Sequence, residues 1–179
     1  MIIKDGVTIN NPIKYENYLW GNVFMSNMVA VSIYGIGFML ILKFSLFIAL
    51  TYLVYIMALE YRLLRHHCVN CYYWGKRCGF GKGTISSFLF KKGDSSSFCN
   101  KKMQWRDMLP DLLVPFTPLI LGIVMIIQEF DIILLVGLIL LIALSTFGNE
   151  FIRGSLTCNH CKQQELGCPA FMLFQKKEE

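Results

Sequence analysis

The chain has 179 residues, of which 55% are hydrophobic and only 16% charged, with a mean hydropathy of +0.49 and a formal net charge of +5. That balance excludes an ordinary water-soluble helical bundle, whose helices normally carry a polar face. It is the composition of a membrane protein about one domain long.

Residues 1–22 mix polar and aromatic side chains, and no small-residue cleavage site follows the first apolar run, so no cleaved signal peptide is expected. Two apolar runs come next, Val23 to Leu42 and Phe44 to Leu64, separated by Lys43. A bilayer core takes roughly 20 apolar residues of helix, about 17 to 25 in practice, so both runs are long enough to span. Gly35 and Gly37 in the first allow close helix contact. Polar residues inside the runs, such as Asn27, Ser32, Thr51 and Ser145, are uncharged and mild, which argues against a transporter, because intramembrane charge is its usual marker.

The second run leads into HHCVNCYYWGKRC, residues 66–78, where Cys68, Cys71 and Cys78 stand at C-x-x-C-x(6)-C. The stretch Gly79-Phe80-Gly81-Lys82-Gly83-Thr84 is not a phosphate-binding P-loop, because Gly83 takes the place of the required Ser or Thr after Lys82. Its glycines are expected to turn the chain sharply after Cys78. Ile85, Phe88, Leu89 and Phe90, followed by Lys91 and Lys92, predict a short interfacial helix whose lysines meet anionic headgroups.

The third and fourth runs, Leu112 to Ile127 and Ile132 to Thr146, are shorter. Extended to Leu109 and Phe147 they reach the lower limit for a span, so they either cross with little tilt or lie partly at the interface. Pro110, Pro115 and Pro118 are expected to distort the start of the third. Then TCNHCKQQELGC, residues 157–168, repeats the thiol spacing with Cys158, Cys161 and Cys168.

Orientation follows from the basic residues. Arg65, Lys76, Arg77, Lys82, Lys91, Lys92, Lys101, Lys102 and Arg106, nine of the 17 Lys and Arg, lie between the second and third runs. The two hairpin turns offer only Lys43 and the acidic Gln128-Glu129-Phe130-Asp131. The central loop is therefore expected on the cytoplasmic side, with the N- and C-termini and both cysteine motifs. Tyr15, Tyr18, Trp20, Tyr72, Tyr73, Trp74 and Trp105 fall near the predicted boundaries and suggest an interfacial aromatic belt. Glu60 and Glu150 are expected to pair with Arg62, Arg65 or Arg153. Nucleic acid is set aside as a partner, because the basic residues are interleaved with membrane-seeking aromatics.

A shift of ninety residues superposes Glu60 on Glu150, Cys68 on Cys158, Cys71 on Cys161 and Cys78 on Cys168. The same shift sets Tyr15 against Trp105 and Leu19 against Leu109. This predicts an all-α, integral membrane four-helix protein built from two tandem helical hairpins, residues 1–90 and 91–179, each followed by a cytoplasmic cysteine knuckle. Two spans per unit bring both units in from one side, related by a pseudo-twofold axis along the membrane normal.

Cytosolic thiols are normally held reduced, so these cysteines point to metal ligation before disulfides. A C-x-x-C turn presents two thiolates to one ion, and tetrahedral sulfur sites favour zinc or iron-sulfur clusters. Each motif by itself is one ligand short. Cys99, His66 or His67 could complete the first, whereas the second has only His160, inside its own C-x-x-C. Pooling the six thiolates satisfies two ions.

This spacing resembles the binuclear zinc cluster of fungal transcription factors, whose halves also read C-x-x-C-x(6)-C. The resemblance implies Cys68 and Cys158 as bridging ligands, with Cys71 and Cys78 completing one metal shell and Cys161 and Cys168 the other. It covers the cysteine spacing only: ninety residues and two spans intervene here and no DNA-reading basic helix is evident, so the cluster geometry is implied and the DNA-binding role is not. The leading expectation is a zinc centre in a non-enzymatic structural or adaptor subunit that contacts the bilayer, anionic headgroups and partner subunits. The alternative is an iron-sulfur electron-transfer protein, which Cys168-Pro169 favours. A third reading, thiol-disulfide oxidoreductase, would want its thiols on the opposite face. Any enzymatic activity would be that of an oxidoreductase.

Overall fold

The computed structural model of the chain describes residues 13–94 and 105–168. Cys99, Lys101, Lys102 and Pro169 lie outside the described residues, as does the side chain of Trp105.

The described residues are helical and contain no strand. Helices α1 (Trp20–Phe44) and α2 (Leu46–His66) are separated by one residue, Ser45. Ser45 is extended, with φ −162° and ψ 128°. Its N–H donates to Ile41 O at 3.0 Å and its carbonyl accepts from Ala49 N at 3.0 Å, so the hairpin closes with its turn amide satisfied. A short helix α3 (Lys82–Leu89) starts from Gly81, whose φ of 71° is one that glycine adopts without strain. Helix α4 (Trp105–Gln128) leads to α5 (Ile132–Ala143), whose N-cap Asp131 accepts from Ile133 N at 2.9 Å. The helical path then continues through a π segment, Leu144–Gly148, an α turn, Asn149–Phe151, and a second π segment, Ile152–Thr157.

Four stretches are long and apolar enough to cross a membrane: Trp20–Phe44, Leu46–Asn70, Arg106–Gln128 and Ile132–His160. The last two are longer than expected from the sequence. At about 1.5 Å per residue the third covers about 34 Å, enough for a hydrocarbon core of roughly 30 Å, so neither need lie at the interface on grounds of length. Pro110 and Asp111 cut the apolar run in α4 without cutting the helix, and Asn149, Glu150 and Arg153 sit in helical turns that carry on beyond the apolar run.

The proline-rich helix is kept intact by its neighbours. Pro118 has no N–H for Val114 O, and Tyr52 of α2 supplies a hydroxyl to that carbonyl at 3.0 Å. Tyr55 of α2 also reaches this helix, donating to Pro110 O at 2.8 Å. Gly37 of α1 makes the space: a β-carbon there would stand 2.6 Å from Tyr52 Oη and 3.2 Å from Pro118 Cγ.

Helix α1 packs on α2, α4 and α5, and α4 also packs on α5. Two apolar clusters result. In one, Ile33 and Leu40 of α1 meet Leu134, Leu138 and Leu141 of α5; in the other, Ile41 meets Ala49, Tyr52 and Ile56 of α2 and Val114 of α4. No more than 28% of the most apolar window of each stretch is buried inside the protein, so the remaining apolar surface faces outward and requires an apolar surrounding. At one end of the bundle Lys43 and Asp131 pair at 2.5 Å and join the two hairpin turns. The described cysteines lie at the other end.

Candidate metal centre

The two cysteine segments fold alike at their starts. The residue before the first cysteine has nearly the same backbone in each, φ −115° and ψ −54° at His67, φ −114° and ψ −61° at Thr157. Each C-x-x-C then forms a 3₁₀ turn, in which Cys71 N donates to Cys68 O at 3.3 Å and Cys161 N to Cys158 O at 3.1 Å. The next turn matches as well: Trp74 N donates to Cys71 O at 3.0 Å and Gln164 N to Cys161 O at 3.2 Å. Beyond it the paths diverge. The first segment needs glycines at Gly75 and Gly81, with φ of 75° and 71°, whereas the second needs one at Gly167, with φ 96°.

The turns bond to each other reciprocally. Lys162 N donates to Tyr73 Oη at 3.0 Å, and Tyr72 N donates to Gln163 Oε1 at 2.7 Å. Residues 72 and 162, and 73 and 163, each differ by ninety, so the same position in each turn uses its side chain to satisfy the other turn's preceding amide.

Residues 13–19 form a strap across this junction. Tyr15 N donates to His160 O at 3.0 Å and Tyr18 N to Arg77 O at 3.0 Å. Tyr73 Oη donates to Tyr15 O at 2.6 Å, and the Tyr18 hydroxyl donates to Thr157 O. The His160 ring stacks on Tyr15 at 4.8 Å, with its Nδ1 2.8 Å from Ile13 O. Glu16 gathers charge from both sides, accepting from Tyr72 Oη at 2.6 Å and Lys76 Nζ at 2.9 Å and also pairing with Lys162. Lys162, then Tyr72 and Lys76, hold the Glu16 carboxyl down at about 2, against an ordinary 4.5.

Tyr18 and Tyr73 are therefore not part of an interfacial belt. Each is 1% exposed, packed with Val23, Cys71, Cys78 and Cys161, and burial pushes both phenols well above the ordinary tyrosine range. Their hydroxyls find partners inside the junction, which is what allows them to be buried. Trp20 stays 70% exposed beneath the Arg77 guanidinium, 5.0 Å from its ring.

All six described cysteines are free and half-buried. Burial pushes the Cys71 thiol up to about 12 and the Cys161 thiol up to about 11. Cys161, Cys78 and Cys68 add to the effect at Cys71, while Cys168 and Cys158 add to it at Cys161. The thiols of each turn thus sense one another, and Cys71 senses Cys161 across the junction. Cys71, Cys78 and Cys161 pack on the tyrosine cluster; Cys68, Cys158 and Cys168 are not in it. Gly83 N–H points at Cys78 Sγ from 3.4 Å, as a donor to a thiolate would. The donor types suit a thiophilic divalent ion. Among the described residues, however, no three of His, Cys, Asp and Glu are arranged as a group that could hold a metal ion.

Glu60 has different partners from those expected. Tyr34 donates to it at 2.8 Å and Lys82 pairs with it at 2.6 Å. The sharp turn at Gly81 brings α3 back against α2 and so delivers Lys82, which is distant in sequence from Glu60, in place of Arg62 or Arg65.

The residues that sequence reasoning passed over are Lys14, Glu16 and Gln163. The one signal for Gln163 is the ninety-residue offset, which pairs it with Tyr73 as surely as it pairs the cysteines, yet the two side chains are chemically dissimilar. Compared with known protein families, characterised proteins and solved structures, the chain matches none.

Proposed function

We propose that the chain is a multi-pass membrane protein of two tandem helical hairpins, fastened on the cytoplasmic side by a cysteine-ligated zinc centre, and that it serves as a structural or adaptor subunit. The observation that carries the two-unit reading is the reciprocal bonding of Tyr73 to Lys162 N and Gln163 to Tyr72 N, an isologous contact of the kind a twofold axis generates. The basic residues between the second and third spans support a cytoplasmic junction.

Cys68, Cys71 and Cys78 on one side and Cys158, Cys161 and Cys168 on the other are the ligands. Zinc bound there would supply a cross-link with no redox activity, and closing its shell would be coupled to folding of the junction. The spacing-based assignment has Cys68 and Cys158 bridge two ions; the contact of Cys71 and Cys161 with one tyrosine cluster favours these two as the thiols nearest the axis.

Anaerobic purification followed by elemental analysis and a visible spectrum tests the metal. Zinc without colour supports the proposal. Iron with acid-labile sulfide and a brown colour replaces it with membrane electron transfer, and neither metal overturns both. Replacing Cys158 by Ser tests sharing: metal retention at the Cys68 turn should fall, and full retention there refutes a shared site.

A further inference from the structure

Helix α3 and the chain after it form a shelf beside the first cysteine turn. Ser86 Oγ donates to Leu64 O at 3.3 Å, and the Phe90 ring meets the Tyr61 ring edge-on at 5.6 Å. These contacts fix the shelf where the apolar length of α2 ends. A groove of about 380 Å³ opens there, lined by Trp74, Ser87 and the run Phe88 to Lys92.

The groove joins two kinds of surface. On its outer side stand two large apolar side chains, Phe88, 90% exposed, and Leu89, 54% exposed. At its end stand the exposed ammonium groups of Lys91 and Lys92. Trp74 is one of the lining residues, and among the described residues its Nε1 is buried and meets no hydrogen-bond partner. A buried N–H in that state costs free energy until an acceptor reaches it. With Asp94 counted, the stretch Lys91–Asp94 is still net basic. The unmet demand is for an anionic oxygen acceptor attached to something apolar.

We propose that this groove binds the phosphate headgroup of one anionic phospholipid. Lys91 and Lys92 neutralise the phosphate, the Trp74 indole N–H donates to one of its oxygens, and Phe88 and Leu89 lie along the acyl chains. Charge complementarity selects this occupant over a zwitterionic lipid, whose own headgroup cation already balances its phosphate and would leave net positive charge at the two lysines. The proposal rests on the membrane reading above and is independent of any metal at the cysteine turns.

Native mass spectrometry of the full chain from neutral detergent tests it, with phosphatidylglycerol and phosphatidylcholine supplied at equal concentration. One phosphatidylglycerol should be retained at least tenfold more strongly than phosphatidylcholine. The double variant Lys91→Ala/Lys92→Ala, and separately Trp74→Phe, should each reduce that retention at least fivefold while circular dichroism and the unfolding midpoint stay unchanged. Equal retention of the two lipids, or full retention by both variants, overturns the proposal. Displacement of the lipid by millimolar inorganic phosphate overturns it in favour of a free-phosphate site. Alkaline carbonate washing of membranes separates the two readings: a protein released by the wash fails the membrane reading, and one that remains but does not discriminate between the lipids fails this proposal alone.

Discussion

Gly79 lies so close to Thr157 that a β-carbon on the glycine would stand 2.4 Å from Thr157 Cγ2 and 2.9 Å from its Cβ. The threonine cannot swing aside cheaply, because its hydroxyl donates to Ile152 O at 2.9 Å. Gly79→Ala should therefore push the two cysteine turns apart and cost about 1–3 kcal/mol, the usual range for overpacking. The cost would appear as a lower thermal midpoint of the detergent-solubilised protein. Thr157→Ala, destabilising by itself, should recover part of the loss on the Gly79→Ala background. Strict additivity of the two changes would show that these residues do not meet.

A second cycle addresses the bundle. Tyr52 donates to Val114 O, the carbonyl that Pro118 leaves without an N–H. Tyr52→Phe should cost about 1 kcal/mol, in line with interhelical hydrogen bonds in membranes. In a Pro118→Ala background the helix can supply its own N–H to Val114 O, and the same substitution should then be nearly neutral. An equal cost in both backgrounds would sever the link between the tyrosine and the proline.

These two examples mark where the sequence could be read and where it could not. The first two spans are unbroken apolar runs, and their positions followed from length alone. The third and fourth were read short, because Pro110 and Asp111 and the later Asn149, Glu150 and Arg153 interrupt hydropathy while the backbone stays helical. Repair of the proline gap comes from Tyr52 on another helix, and a local pattern carries no record of it. The cysteine spacing pointed to two related segments; what the structure gives there is a 3₁₀ turn in each, preceded by a similar backbone conformation at His67 and Thr157. Tyr18 and Tyr73 were misread as a belt, since a tyrosine near a span boundary has the same local context whether it faces lipid or a partner turn.

Acid should loosen the strap through Glu16. Its carboxyl titrates at about 2 in the folded chain against an ordinary 4.5. The folded value is depressed, so the contribution of Glu16 to stability is fully present above the unfolded value and is lost as pH falls from there toward 2. The advantage of the wild type over Glu16→Gln in unfolding midpoint should thus be constant near neutrality and shrink across that acid window. Added salt should shrink it too, because these charges are exposed. A gap between wild type and variant that does not change with pH would assign the effect to packing instead.

Metal should act on stability by mass action. If zinc binds only the folded junction, free zinc at 100 times its dissociation constant adds about 2.7 kcal/mol. The unfolding midpoint of metal-free protein should rise with zinc and return with chelator, and the rise should be smaller in Cys71→Ser and in Cys161→Ser. A midpoint indifferent to zinc would remove the metal from the junction.

The strap also imposes an order on assembly. Lys14 reaches Asn159 O at 2.9 Å across 145 residues of chain, and Glu16 meets Lys162 over a similar separation. During synthesis the first hairpin can enter a bilayer long before residues 157–164 exist, at about 5–20 residues per second. Residues 13–19 must then wait roughly 7 to 30 seconds at the membrane surface with their partners in residues 157–164 unmade. The clasp is the earliest part of the described chain to be translated and among the last to close, so a translational pause or truncation anywhere before residue 160 would leave it open for chaperones or proteases to find.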